Sequence, residues 1–354
     1  MTWRRQLGRA RSAVVVAVAA VTVAVVGSAG LPAPAGAATA PKKPAPARPV
    51  PQVVTSGAQL AFDGDSPDPD VLRVGSTYYA YTTGTTWGNH IGVLESSQPA
   101  SGYHTFTGHD WGSTAIASLP AWEKVDTQTS PGVIAWANGY VLFYDAVDQA
   151  NGDYCISDAL ATSPLGPFVD QSSGPLICQV GQGGSVDPTP FVDTNLQPWL
   201  YWKSNGGASA GPAHLWGARL STTGYRPALA SAPRIMMNQD TVTHPWEKTI
   251  EDPAMVVVGG THYLFFAGGK WQTSAYSEGY AVCPSAAGPC TQPQKGPILT
   301  SYGAVAGPAA GNVFVDTTGH AWMSYAAWTA PCTSYSCGGK RRLWIAPLRL
   351  GAAA

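Results

Sequence analysis

Apolar residues in this chain come in short bursts separated by glycine, proline and aspartate. Runs rich in Val, Tyr, Trp, Phe and Thr, such as residues 77–83, 140–144 and 263–266, recur between turn residues. That is the pattern of short β-strands. After residue 55 the longest stretch free of both Gly and Pro is residues 140–151, twelve positions, barely one average helix. Helices should be scarce, and the pattern predicts an all-β domain.

The bursts are themselves ordered. One phrase occurs five times: a proline, an apolar strand, a turn containing Gly or Asp, then an aromatic-rich strand. It runs from Asp68-Pro69 to Tyr78-Tyr79-Ala80-Tyr81, from Pro131 to Phe143-Tyr144, and from Asp187-Pro188 to Trp199-Leu200-Tyr201-Trp202. The last two run from Glu251-Asp252-Pro253 to Phe265-Phe266 and from Pro308 to Trp322-Met323-Ser324-Tyr325. Pro69, Pro131, Pro188, Pro253 and Pro308 lie 62, 57, 65 and 55 residues apart. Such a spacing suits a four-stranded propeller blade with long loops. A β-sandwich would give turn signals about every 8 to 12 residues and no longer period. Five copies predict a five-bladed β-propeller over residues 56–350.

The N-terminal stretch reads differently. Arg4, Arg5, Arg9 and Arg11 precede an apolar run over residues 13–26, and Ala35-Gly36-Ala37 offers a small-residue cleavage site, so residues 1–37 read as a secretory signal peptide. The apolar run falls short of the roughly 20 residues that a membrane span needs. Residues 38–55, with Pro41, Pro44, Pro46, Pro49 and Pro51, read as an extended linker. A secreted, extracellular protein makes disulfides the default for the six cysteines. Sequence neighbours suggest Cys155 with Cys178, Cys283 with Cys290, and Cys332 with Cys337, although fifteen pairings are open in principle. Their spacings are not those of zinc ligands, and no metal site is expected.

Composition narrows the partner. Charged residues make up 12% of the chain and the formal net charge is −1, so nothing steers a nucleic acid or an anionic membrane toward it. Neutral carbohydrate is the simplest polymer to expect. The 13 Trp and 15 Tyr suit stacking on sugar faces as well as packing in a β core. No second copy is called for, and a monomer is expected.

The first strand of each propeller blade lines the central channel, so residues at the start of each repeated phrase converge on one axial pocket. Three of the phrases begin with acids: Asp68, Asp187 and Glu251. Glutamate is rare here, at positions 95, 123, 247, 251 and 278 only. Turn chemistry accounts for any one Asp-Pro; three acids at matching repeat positions point to one cavity. Carboxyls gathered in a partly dry pocket raise one another's pKa, and glycoside hydrolysis needs one protonated and one ionised carboxyl. Arg341 and Arg342 lie in a late strand, where a substrate-binding arginine and ordinary solvated charge both fit. Trp87 and Trp271 follow the acid-bearing strands as sugar platforms or packing groups.

In these segments the chain resembles glycoside hydrolase family 43. The carriers are Ser66-Pro67-Asp68-Pro69-Asp70-Val71-Leu72-Arg73, Gly184-Ser185-Val186-Asp187-Pro188-Thr189-Pro190-Phe191 and Thr249-Ile250-Glu251-Asp252-Pro253-Ala254-Met255, in the family's order. A second-blade segment, Ala161-Thr162-Ser163-Pro164-Leu165-Gly166-Pro167-Phe168, is similar too. The resemblance implies a five-bladed propeller and an inverting mechanism: Asp68 as general base on water, Glu251 as general acid, and Asp187 tuning Glu251 so that it stays protonated until it donates. It implies cleavage of α-L-arabinofuranosyl linkages, with β-D-xylosyl linkages second, in plant polysaccharides or oligosaccharides. An endo-1,5-α-L-arabinanase and a non-catalytic carbohydrate-binding propeller are the alternatives. Relatives often place a His after the fifth Gly-Pro, where this chain reads Gly307-Pro308-Ala309-Ala310-Gly311-Asn312, and another where it reads Tyr325-Ala326-Ala327-Trp328. The expectation is therefore no cofactor, at most a weakly held calcium, and less weight on the endo-arabinanase.

Overall fold

The computed structural model describes residues 50–84, 91–105, 114–136, 139–221, 223 and 226–350. The signal peptide, most of the expected linker and Trp87 lie outside the described residues. Among the described residues the only helical elements are three 3-10 turns, Thr55–Gly57, Val180–Gln182 and Tyr335–Cys337. Everything else that is regular is β, in five sheets, and the protein is a five-bladed β-propeller.

Each repeated phrase makes the inner two strands of one blade. They are Asp70–Val74 with Thr77–Thr83, Thr129–Trp136 with Gly139–Val147, Ser185–Val192 with Pro198–Ser204, Ile250–Val258 with Thr261–Gly268, and Val305–Val315 with Ala321–Thr329. The hairpin turns follow the local sequence. In blade four Val258 pairs with Thr261 around Gly259-Gly260, both at positive φ (56° and 78°), as a tight primed turn requires. Blades three and five use longer turns, in which Asp193 and Asp316 accept backbone N–H groups two and four residues on.

The aromatic-rich second strands do not alternate apolar with polar because both of their faces are buried. In blade two, Val141 and Phe143 pack against Leu200 and Trp202 of blade three, while Leu142 and Tyr144 pack against Tyr81 and Val93 of blade one. The period of two in a strand sends alternate side chains to opposite neighbours. The same division gives a hydrophobic core between every pair of adjacent blades, from blades one and two round to blades five and one. Close approach of the inner strands also limits residue size. A Cβ on Gly132 would meet Pro188 O at 2.4 Å.

The ring closes between the two ends of the domain. Gln59–Asp65 pairs antiparallel with the last strand, Arg342–Arg349, in a register that sets Gln59 opposite Ile345 and Asp65 opposite Arg342. Gln52–Val53 pairs with the outer part of the same strand, so ordered propeller structure begins inside the stretch expected to be linker over residues 38–55. Cys155–Cys178, Cys283–Cys290 and Cys332–Cys337 are bonded as their sequence neighbourhood suggested.

Candidate active site

The innermost strands share a distortion where they meet the channel. Residues with positive φ occur at Asp68 (53°), Ser130 (51°), Asp187 (57°), Asp252 (51°) and Ala310 (57°), one per blade. In blades two to five this residue sits in a register shift of the ladder, a β-bulge. A non-glycine residue there is strained, Asp less than most, and such strain persists where the surroundings impose it. Proline follows in the first four blades and Gly311 in the fifth. These five residues line an axial cavity of about 20 Å³, room for about one water.

This ring corrects the phase of two repeats. Pro308 anchors the fifth phrase in the sequence, but blade five carries two successive bulges, and the second, at Ala310, lines the axial cavity. In blade four the residue equivalent to Asp68 and Asp187 is Asp252. Glu251 precedes it by one, so this blade supplies two consecutive carboxyls.

Beside the axis lies an open cavity of about 350 Å³. Asp68, Asp187, Glu251, Trp271 and Arg341 all line it; of the seven residues singled out in the sequence, Trp87 lies outside the described residues and Arg342 does not line the cavity. Asp68 is held by both oxygens: Thr83 Oγ1 donates to Oδ2 at 2.7 Å, and Arg341 Nη2 is ion-paired to Oδ1 at 2.9 Å. Arg341 is buried, its guanidinium 5.4 Å from the centre of the Trp271 ring and 5.9 Å from that of Tyr276. Trp271 stacks in turn on Trp328 at 6.0 Å, so it is both a packing group and a cavity wall. Arg342, one residue on, turns the other way and pairs with exposed Asp63.

Three groups escaped the sequence reading, and a fourth, Asp252, entered it only as the extra carboxylate beside Glu251. Lys203 Nζ donates to Glu251 Oε2 at 2.8 Å. Asp145 lines the cavity from blade two and accepts from Thr129 Oγ1 at 2.9 Å. Asp252 accepts from the Tyr276 hydroxyl at 3.0 Å, and its backbone N–H points at Asp187 Oδ2, 3.3 Å away. Tyr335, in the loop closed by Cys332–Cys337, adds a ring beside Trp271 and Trp328. A signal for the first two exists: each directly follows the aromatic run of a second strand, after Tyr144 and after Trp202.

The carboxyls are held in different states. Burial raises Asp187 to about 6, Glu251 and Asp68 push the same way, and Lys203 opposes them. Burial and the neighbouring carboxylates hold Asp252 and Asp145 well above the ordinary range. Glu251 goes the other way. Burial would raise it, but the charge and hydrogen bond of Lys203, with help from Tyr276 and Arg341, bring it below its ordinary value. Beside the carboxylate expected to tune it, Glu251 thus has an ammonium in direct contact.

Carboxyls whose environments split their pKa values, gathered at the mouth of a propeller channel with a stacking wall beside them, define a glycosidase site. The chain matches glycosyl hydrolases family 43 over residues 61–352 and belongs to that family. None of the curated proteins is a match. Among solved structures, a thermostable family-43 glycoside hydrolase is 22% identical, with 86% of this chain and 94% of that one covered and a TM-score of 0.71. An endo-1,4-β-xylanase from Bacteroides thetaiotaomicron is also 22% identical, covering 83% and 92%, with a TM-score of 0.63. An α-L-arabinofuranosidase from Lactobacillus brevis is 14% identical, covering 84% and 92%, at 0.62. At such identities the likeness to these three is one of fold.

Proposed function

We propose that the protein is a secreted, monomeric, inverting glycosidase that removes α-L-arabinofuranosyl units, and secondarily β-D-xylosyl units, from plant cell-wall polysaccharides or oligosaccharides. The observation that carries this reading is the convergence of Asp68, Asp187 and Glu251, from three different blades, on one cavity of about 350 Å³. In this reading Asp68, oriented by Thr83 and Arg341, takes a proton from the attacking water. The water oxygen bonds to the anomeric carbon as the glycosidic bond breaks, and Glu251 gives its proton to the departing oxygen. The net change is addition of one water, and the reading assigns all of it to carboxyl groups, with no cofactor. Trp271 and Tyr335 serve as the wall on which a sugar face stacks.

The sugar preference has its own support. Residues 307–312 and 325–328, where relatives often carry a His, contain none, which weighs against the endo-arabinanase. The cysteines are all bonded, and among the described residues no helix is long and apolar enough to cross a membrane, both compatible with the proposed export. The test is chromophore release from paired aryl α-L-arabinofuranoside and β-D-xyloside by the mature protein and by Glu251→Ala. Turnover lost in the variant supports the reading. Silence of the native protein on both substrates overturns it in favour of an endo-arabinanase or a non-catalytic sugar binder.

A further inference from the structure

Lys203 ends the aromatic run of Pro198–Ser204, the second strand of blade three, opposite Val186 in the ladder. Its ammonium crosses to blade four and meets Glu251 Oε2 at 2.8 Å, with both residues buried and both lining the cavity. Truncating one partner of such a buried pair leaves the other charge uncompensated, so the two hold each other in place. The family resemblance gives the tuning of Glu251 to Asp187, yet a carboxylate and an ammonium act in opposite directions on a neighbouring acid. Here the ammonium is in direct contact, whereas Asp187 faces blade four through the Asp252 backbone N–H at 3.3 Å.

We propose that Lys203 acts on Glu251 alongside Asp187: it is a positioning residue that fixes this carboxyl and opposes the burial and neighbouring carboxylates that would otherwise weaken it as an acid. This rests on Glu251 being the proton donor. The other charged and titratable groups facing the pair are Asp187 on blade three, Asp252 and Tyr276 on blade four, Asp68 on blade one and Arg341 on blade five, with Asp145 of blade two acting through Asp187. Among them the carboxylates keep Lys203 charged, and the balance leaves Glu251 below its ordinary value.

The arrangement has a kinetic logic. As the glycosidic bond breaks, Glu251 passes its proton to the leaving oxygen and becomes a carboxylate that the ammonium already faces. Lys203 therefore favours the charge that develops during the reaction over the one present before it. The cost is range, because a stronger acid carries its proton only at lower pH.

The test compares pH profiles of kcat/KM for the native protein, Lys203→Met, Lys203→Arg and Glu251→Gln on the aryl glycosides. Lys203→Met should move the alkaline limb upward by about one to three pH units and lower the plateau rate about tenfold or more, while Lys203→Arg keeps the native limb. An unmoved limb in Lys203→Met, with Glu251→Gln inactive, makes Lys203 merely structural and overturns the proposal. Activity retained in Glu251→Gln instead sinks the acid assignment, a distinguishable failure. A second measurement needs neither turnover nor a folded lysine variant. With five glutamates in the chain, carbon-13 glutamate labelling lets the Glu251 carboxyl be assigned by its loss in Glu251→Gln and titrated in the native protein. Titration below the ordinary 4.5 supports the proposal, and titration above it overturns it.

Discussion

Two clusters of buried carboxyls in this propeller use the same chemistry and differ in what they leave open. The first lies in blade two, where Glu123, Asp158 and Asp170 are all buried. The Tyr144 hydroxyl sits 2.7 Å from Glu123 and 2.8 Å from Asp170, Gln128 donates to Glu123, Ser157 and the Ser172 backbone donate to Asp170, and Arg226 spans Asp158 and Asp170. A single phenolic proton cannot serve two carboxylates. Burial raises Glu123 from 4.5 to about 7, so it takes up a second proton as the pH falls toward that value. The other cluster is the channel mouth, where five carboxyls share two cations and face a cavity of about 350 Å³. Clustered acids are thus not in themselves a site. In blade two the protein supplies the partners from its own strands and loops, and at the mouth a substrate can supply them.

The sharpest way to break this comparison is to neutralise one member of each cluster. Glu251→Gln or Asp68→Asn should cut kcat per folded molecule by about 10² to 10⁴-fold with circular dichroism kept, although Lys203 or Arg341 then loses an ion-pair partner and the thermal midpoint falls; a chain that no longer folds would mean that the mouth is structural as well. Asp170→Ala should do the reverse. Leaving the buried Ser157 hydroxyl and the Ser172 backbone N–H without their acceptor costs about 1 to 3 kcal/mol of stability, read by urea unfolding, while activity per folded molecule holds. Arg341→Lys keeps a charge beside Asp68 but loses the planar group lying between Trp271 and Tyr276. A fall of about tenfold in kcat/KM is expected, with less change in stability than Asp170→Ala gives.

The smallest effect concerns pH. The folded-state pKa of Glu123, about 7, lies above its ordinary 4.5, so the native state binds the extra proton. Its contribution is fully present below about pH 4.5 and is lost as pH rises toward 7. Glu123→Gln should reduce this part of the slope, leaving what is due to Asp70, also raised to about 7 by burial, and to the raised carboxyls of the channel mouth, Asp187 among them at about 6. Unfolding midpoints at three pH values across that window check it, and an unchanged slope would refute it.

The architecture was legible because the propeller imposes a long period. Second strands buried on both faces must be aromatic and aliphatic throughout, and bulges at the channel favour Asp before Pro, so Asp68 and Asp187 announced themselves. The rest of the site comes from geometry that recurs without a motif. Asp145 and Lys203 enter from the ends of second strands, opposite Thr129 and Val186 just before the bulges. Tyr335 arrives on a disulfide-closed loop between the last two strands. The ammonium beside Glu251 went unseen for the same reason: Lys203 lies 48 residues away in the chain and on another blade.

The closing strand also fixes an order of events during synthesis. Gln59 finds its partner only when Ile345 has been made, nearly the whole domain later. At about 5 to 20 residues per second, the first strand waits tens of seconds for the last. Blades two to four can form while the chain lengthens, but the mouth that joins Asp68 to Arg341 stays unassembled until the final strand arrives. A nascent chain should therefore carry no activity until it is almost complete.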